Sequence, residues 1–412
     1  MTHITQSSRL SAIGPGVILA AAAVGASHLV ASTQAGALFG WQLWWVILLV
    51  NVLKYPFFRF AVSYTLQHNE SLIAGYHRKG RFYLWAFTAL NLVAAVVNTA
   101  GVLLLTASLL QLFIPQLSTT VLSWLILVNC WLILMGGQYR TLDKLSKWIM
   151  ASLSIATVIA VGIAWWNAVP PPADFVAPSP WKLSALAFLV AMVGWMPVPI
   201  ELSAISSLWL RSKQKLTQVT LAHGLFDFNL GYWVTAALAL LFLALGALVQ
   251  FGSDQPIAMA GSQFASQFVS MYGSTIGQWS EYLVGAIAFL CMFGTTLAVL
   301  DGYARTLRES QRLLLPKSTT RKPNRPFPLN IWIIGQSIAG MLVIMYFKSA
   351  LGPMLTFAMT LAFLTTPFFA WLNFQLAKRR PMSRLLNIYA WVGLVYLAGF
   401  ALGYLYYLLT GY

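Results

Sequence analysis

Charged residues are scarce in this chain of 412 residues. Asp, Glu, Lys and Arg make up 8% of it, against about 25% of an ordinary soluble domain. No charged residue lies between Arg9 and Lys54, or between Arg81 and Arg140. A helix crosses a bilayer with about 20 apolar residues. The sequence therefore excludes a soluble globular enzyme and predicts a membrane protein with several spans.

Acidic residues and cysteines are also scarce. Nine Asp and Glu stand against 25 Lys and Arg, a net charge of +16, but stretches this apolar rule out a nucleic-acid partner. Cys130 and Cys291 lie far apart in apolar sequence without metal-ligand spacing, which predicts two buried thiols. The sequence also lacks a His-Glu-x-x-His pair, a phosphate loop and a Gly-x-Ser-x-Gly turn. We therefore predict neither an enzyme nor a bound cofactor.

Eleven apolar segments remain when the chain is cut at clusters of charge, Pro and Gly. They are 13–38, 41–64, 81–112, 119–137, 145–168, 182–210, 224–250, 279–306, 328–347, 351–374 and 385–409. Short loops rich in Lys and Arg stay on the cytoplasmic side of a membrane. If the N-terminus is cytoplasmic, all Lys and Arg except Lys182 and Lys348 fall on that side. The external loop at 251–278 and the inner loop at 309–327 are too short for a domain. We predict an all-α protein of about 11 spans with an outside C-terminus, in keeping with a bacterial inner membrane.

Two segments contain residues that interrupt a helix. The first has Gly25 to His28 in its middle, and the sixth has Pro197 and Pro199, which lack the N–H that a helix needs. Non-helical backbone inside a membrane is tolerated where it lines a cavity, and paired broken spans mark the binding site of inverted-repeat transporters. We predict one domain with a LeuT-like inverted 5+5 repeat. Its parts are 13–168, 182–374 and an accessory helix at 385–409.

Short motifs near the breaks carry a family resemblance. Gly14-Pro15-Gly16, the run from Ser32 to Ala37, and Met196-Pro197 resemble the NRAMP family of divalent-metal transporters. The resemblance implies an inverted-repeat transporter whose breaks read Asp-Pro-Gly-Asn and Met-Pro-His. Here the first motif aligns with Gly25 to His28, and Val198 replaces the second histidine. Spans three and nine also lack charge. The resemblance therefore implies a divergent member with weak or no proton coupling.

Seven residues at the two breaks are the candidate substrate site: Gly25, Ala26, Ser27, His28, Met196, Val198 and Glu201. His28 could ligate a transition metal or relay a proton, and it could equally be structural. Met196 would supply a soft donor for manganese or iron, whereas few hard ligands suit magnesium, which keeps its waters. Glu201 could balance a cation's charge or merely cap its helix, and the freed Gly194 carbonyl could bind a cation.

The other charged residues in the spans have structural or interfacial interpretations. Lys54 and Arg59 lie at the inner end of span two, from where they could reach the lipid headgroups. Asp301 is four residues before Arg305, the spacing of a helical ion pair. Asp227 and Glu281 begin their spans near opposite membrane surfaces, where we expect both to be interfacial.

The sequence thus predicts a secondary transporter that moves a small cation by alternating access. The expected partners are the lipid bilayer and a divalent ion such as manganese, iron or magnesium. Two alternatives stay open. One is a transporter of the same fold for an organic solute such as an amino acid, and the other is a sensor or partner subunit that does not transport.

Overall fold

The computed structural model describes most of the chain. The described residues are 14, 16, 19, 20, 23–25, 27–136, 139–168, 170–215, 217–253, 258, 261–315, 326–347, 351–379 and 381–410. For 139–147, 149, 150 and 351–355 the description covers the backbone. Ala26, one of the predicted site residues, lies outside the described residues.

The described chain is built from helices, of which fourteen are α-helical. They are α1 (Thr33–Phe39), α2 (Trp44–His68), α3 (Leu72–Lys79), α4 (Arg81–Gln111), α5 (Thr119–Gly136), α6 (Tyr139–Trp166), α7 (Leu183–Trp195), α8 (Leu202–Gln214), α9 (Leu221–Val249), α10 (Gly261–Ile276), α11 (Trp279–Leu314), α12 (Leu329–Tyr346), α13 (Leu351–Ala377) and α14 (Arg384–Thr410). A π-helical segment, Ser27–Ser32, leads into α1, and a 3-10 turn, Gly40–Leu43, joins α1 to α2.

Eight helical stretches of the described chain are long and apolar enough to cross a membrane. The first runs from Ser27 to His68 and so contains α1 and α2, and the others fall in α4, α5, α9, α11, α12, α13 and α14. Shorter apolar helices lie at Ala151–Trp166 and in α7. The prediction of an all-α polytopic membrane protein is confirmed.

The prediction of an external loop at 251–278 is wrong over most of its length, because the segment contains α10. Its composition is rich in Gly, Ser and Gln, which hid the apolar spacing of a helix. Phe264, Phe268 and Tyr272 follow one another at four-residue intervals, and all three are buried. The helix packs against α11 and α4, so the segment is part of the helical bundle.

The first predicted break begins with a turn at Val24 and Gly25 and continues as the π-helical segment, all of which is buried. A Cβ atom at Gly25 would lie 2.8 Å from Thr295 Cγ2, so glycine allows this close approach. Beyond the break, Gly36 of α1 and Gly246 of α9 face each other's backbone without room for a side chain. The span is therefore packed closely against α9.

Asp227 of α9 fixes the start of the first span. Its Oδ1 and Oδ2 atoms accept hydrogen bonds from the backbone N–H of Gly14 (3.0 Å) and Gly16 (2.7 Å). The side chain is buried, so the prediction that Asp227 is interfacial is wrong. A carboxylate can be buried here because two backbone donors replace its water. Glu281, by contrast, is partly exposed.

The sixth predicted span is broken between α7 and α8. The last helical hydrogen bond of α7 runs from Met196 N to Met192 O (3.1 Å), after which the chain becomes extended. A new turn starts with the bond from Leu202 N to Pro199 O (3.1 Å). Every residue from 189 to 207 is buried. The break therefore lies inside the protein, which is where non-helical backbone is tolerated.

Candidate functional site

A small cavity of about 40 Å³ lies where the two breaks meet. It is lined by Ser27, Asn98, Val102, Trp195, Val198, Pro199, Leu202, Thr295, Val299 and Tyr303. Residues from both breaks and from α4 and α11 thus come together here, although the polar groups they bring are all neutral. We call this space the central cavity. Of the predicted site residues, Ser27 and Val198 line it directly.

Glu201 lies beside the central cavity, in a second cavity of about 10 Å³. Asn98 lines both cavities and connects them. Its Nδ2 atom donates to the hydroxyl oxygen of Tyr303 (2.9 Å), and that hydroxyl donates to Glu201 Oε1 (3.4 Å). Glu201 is buried, and its side chain makes no capping hydrogen bond to α8. A cap alone therefore does not account for this carboxylate.

Two polar atoms at the sixth break have no hydrogen-bond partner among the described residues. They are Glu201 Oε2 and Trp195 Nε1. A buried polar group without a partner costs about 1–3 kcal/mol, so such atoms are uncommon unless something else binds them. The indole N–H can only donate, and the carboxylate can only accept while it is ionised. The break therefore presents one unused donor and one unused acceptor.

Lys54 is also at the sixth break, although its place in the sequence suggested a position near the lipid headgroups. That prediction is wrong, because the side chain is 0% exposed. Its Nζ atom donates to the carbonyl oxygens of Val193 (2.7 Å) and Gly194 (2.9 Å), and its charge interacts with that of Glu201. These oxygens replace the water that the headgroup region would have supplied. The Gly194 carbonyl that could have bound a substrate cation is thus occupied by lysine.

His28 is held by the protein through both ring nitrogens. Nε2 lies 2.9 Å from the carbonyl oxygen of Thr235, and Nδ1 lies 2.8 Å from Ser27 Oγ. Because a carbonyl can only accept, Nε2 carries the proton of that bond. Ser27 Oγ also lies 2.5 Å from the Ala23 carbonyl and 3.3 Å from the Pro197 carbonyl, so this residue of the first break is close to the backbone of the sixth break.

The remaining candidates are close to the central cavity without lining it. Met196 is fully buried. It lies between Trp195 and Val198 in sequence, and both of these residues line the cavity, but Met196 does not. Gly25 contacts Thr295, which does line it. Among the residues that the structure describes, no three His, Cys, Asp or Glu side chains come together as a metal cluster.

A much larger cavity, of about 780 Å³, lies next to this region and is mostly apolar. Its lining comes from the segment after the first break, from α7, from α13 and from the end of α14, and includes Val30, Gln34, Met192, Met359 and Tyr404. Leu361 lines both this cavity and the small cavity that contains Glu201. Leu361 is therefore part of the wall between the large cavity and the cavity that contains the carboxylate.

Asp301 forms the predicted ion pair with Arg305. The Arg305 Nε atom lies 2.7 Å from Asp301 Oδ2, and the Trp209 indole donates to the same oxygen (2.9 Å). The prediction is confirmed. Because the Arg305 guanidinium bonds directly to this carboxylate, whereas Glu201 has one oxygen without a hydrogen-bond partner among the described residues, Asp301 serves as an internal comparison for Glu201.

Sequence reasoning missed the polar residues that α4 and α11 bring to the site. Asn91 and Asn98 of α4 are seven residues apart, which places them on one helix face. Asn91 donates to Thr306 Oγ1 (2.7 Å), and Asn98 donates to Tyr303. The seven-residue spacing of these neutral amides in an otherwise apolar span is the sequence signal for them, and the positions of charged residues do not reveal it.

Comparison with known proteins decides the family. The chain matches the family model described as "Natural resistance-associated macrophage protein-like" over residues 16–407. The chain belongs to the Nramp family. Members of this family are transporters, so the prediction that the protein is not an enzyme is confirmed. An uncharacterized protein of Pasteurella multocida strain Pm70 is 49% identical to this Nramp protein, with 98% of this chain and 95% of that protein covered.

Solved structures establish the fold of this Nramp protein. A mutant of the Eremococcus coleocola manganese transporter matches with a TM-score of 0.71 at 13% identity, over 98% of this chain and 90% of that one. A nucleobase-cation-symport-1 family transporter, in a closed conformation with bromovinylhydantoin bound, matches with a TM-score of 0.62 at 14% identity, over 95% and 92%. The LeuT-like fold is thus confirmed.

Proposed function

We propose that this Nramp protein is a secondary transporter that carries a small divalent cation by alternating access around its two breaks. The observation that carries the proposal is the unpartnered oxygen of Glu201 beside the central cavity. A divalent ion in a low-dielectric site needs compensating charge, and Glu201 is the carboxylate at this break. Lys54 offsets part of that charge, but its hydrogen bonds go to the Val193 and Gly194 carbonyls, and Glu201 Oε2 keeps no hydrogen-bond partner among the described residues. Family membership and the resemblance in fold to a manganese transporter support the cation.

The ion keeps part of its water. A space of about 10–15 Å³ holds one water, so the central cavity has room for an ion and a few ligands. The polar groups that line it are neutral, and Trp195 Nε1 can donate to a water oxygen but cannot ligate a cation. Magnesium usually keeps several waters, whereas the soft thioether of Met196 does not line the cavity. These features favour a magnesium-like ion over manganese or iron.

The arrangement of cavities suits one step of an alternating-access cycle. The large cavity is lined by α7 between Ala187 and Met192 and by α13 between Thr356 and Leu364. We assign the starts of both helices to the outside, because the basic residues mark the cytoplasm. At the other end, α8 is tied to its neighbours. Asn373 donates to Ser203 Oγ (2.8 Å), and Ser207 Oγ accepts from Thr65 (3.0 Å) and from Leu72 N (2.9 Å).

We assign the broader topology in the same way. The N-terminus is cytoplasmic, the C-terminus is outside, and the membrane is a bacterial inner membrane. Spans 13–168 and 182–374 form the two inverted repeats, with 385–409 as an accessory helix. Neutral residues at the first break and Val198 at the second support transport with weak or no proton movement.

An organic solute is the second candidate, and two observations favour it. The large cavity is mostly apolar, and the Trp195 indole offers a hydrogen bond that a carboxylate or carbonyl oxygen of a solute could accept. In that case Glu201 would face an ammonium group in place of a metal.

Flux into proteoliposomes separates these functions. Purified protein is expected to carry magnesium, and manganese, iron or cobalt more slowly, above empty liposomes, with little change in the fluorescence of a lumenal pH dye. Uptake of amino acids without metal would favour the organic solute. No uptake of any solute would favour a sensor or partner subunit that does not transport. Proton movement in proportion to metal uptake would reject the uncoupled mechanism.

A further inference from the structure

The carboxyl end of α7 has carbonyl groups that its own helix cannot satisfy. In a continuous helix the Val193 carbonyl would accept from the N–H of residue 197, but Pro197 has none. The Gly194 carbonyl would accept from Val198, but the chain leaves the helix at Met196. Both oxygens are at the negative end of the α7 dipole, where a cation is favoured.

The surroundings of these carbonyls exclude bulk water. Gly194 packs so closely on the Met359 carbonyl and the Phe363 backbone of α13 that a side chain would not fit. Val193, Gly194 and Glu201 are all buried. Two carbonyl oxygens with a carboxylate nearby are the hard oxygen donors that bind simple metal cations. The place is therefore built for a positive charge.

Lys54 supplies that charge from α2. Its Nζ atom makes both carbonyl hydrogen bonds, at 2.7 and 2.9 Å, and its charge interacts with that of Glu201. Lysine residues are almost never fully buried unless they are paired, and this one is 0% exposed. A tie between α2 and α7 alone would not require a charge, because an amide or hydroxyl could donate to a carbonyl as well.

We propose that the Lys54 ammonium is a built-in cation, which fills a monovalent-cation site at the sixth break and makes the break independent of sodium or potassium. Removal of the ammonium leaves that site empty and able to take a free ion. The inference goes beyond the proposed function, because it holds whichever solute the protein carries.

Thermal unfolding of purified protein tests the inference without any substrate. Wild-type protein is compared with Lys54→Met in sodium, potassium and choline chloride at equal ionic strength. We expect the same Tm for wild-type protein in all three salts. Lys54→Met should have a lower Tm in choline, and sodium or potassium should recover most of the loss in a saturable manner.

Two variants make the result specific. Lys54→Arg keeps a positive charge, so its Tm should not depend on the salt. Lys182→Met removes an exposed lysine at the other end of α7 and should behave as wild-type protein does. If Lys54→Met cannot be purified, the wild-type and Lys54→Arg arms still test the inference through their independence of sodium.

Three results would overturn it. One is a Tm of wild-type protein that rises with sodium or potassium relative to choline. Another is a Lys54→Met variant that is equally destabilised in all three salts, which would make Lys54 a structural tie. The third is a Lys54→Met variant as stable in choline as the wild-type protein, which would mean that the carbonyls need no cation.

Discussion

The two breaks differ in how completely the protein uses their polar groups. At the first break, Ser27 and both nitrogens of His28 lie within hydrogen-bond distance of protein atoms. At the sixth break, Trp195 Nε1 and Glu201 Oε2 have no partner among the described residues. The polar groups of the first break are therefore satisfied by the protein, whereas the sixth break has a donor and an acceptor that no described protein atom satisfies. Four substitutions test this division.

Asp227→Ala should have the largest effect, because it releases the start of the first span. Two hydrogen bonds to a charged acceptor are lost, at about 1.5–3 kcal/mol each. We expect the free energy of unfolding to fall by about 3 kcal/mol or more, measured by denaturation in detergent. Asp227→Asn keeps one carbonyl acceptor and should lose less. Equal losses in the two variants would contradict the proposed anchoring.

Glu201→Gln should have the next largest effect, on transport. We propose that the carboxylate beside the central cavity balances a divalent ion, so its neutralisation should lower uptake by about 10- to 100-fold, the usual cost of losing a group that supports a metal's ligands. Uptake into proteoliposomes measures this. Asp301→Asn is the matched control, since its carboxylate is already paired with Arg305. Similar losses of uptake in both variants would remove the distinction between the two carboxylates.

Trp195→Phe tests the donor that has no protein partner at the sixth break. The ring is kept and the unpaired N–H is lost, so the folded protein loses no hydrogen bond. We expect an unchanged or slightly higher Tm. Uptake should fall about 10-fold, the equivalent of one hydrogen bond of about 1.4 kcal/mol to the bound solute or its water. Unchanged uptake would show that the indole does not contact the substrate.

His28→Ala should have the smallest effect on substrate binding. Both of its ring nitrogens face protein atoms, so we expect a lower Tm with the same Kd for metal by calorimetry. Met196→Ala provides the comparison at the other break, because Met196 is buried but does not line the central cavity. Loss of metal binding in His28→Ala would show that the first break takes part in binding the metal.

Local rules predicted much of the molecule. Apolar length identified the membrane helices, and Pro197 and Pro199 located the sixth break. The four-residue spacing of Asp301 and Arg305 identified their ion pair. Each of these depends on neighbours in sequence, where the geometry of a helix fixes what can meet.

The parts that could not be predicted depend on distant residues. Lys54 and the carbonyls it contacts are about 140 positions apart, and nothing near Lys54 in sequence distinguishes a buried lysine from one that reaches the headgroups. Asn98 and Tyr303 are 205 positions apart. The roles of Met196 and of the first-break residues in binding stay predictions.

The anchoring of the first span by Asp227 has a consequence for how the protein is made. The backbone of Gly16 and the carboxylate that fixes it are separated by 211 residues. At synthesis rates of about 5–20 residues per second, roughly 10 to 40 seconds pass between them. During that time the first span is already available for insertion while its anchor does not yet exist. The start of the first span can therefore be fixed only after α9, which carries Asp227, has been synthesised.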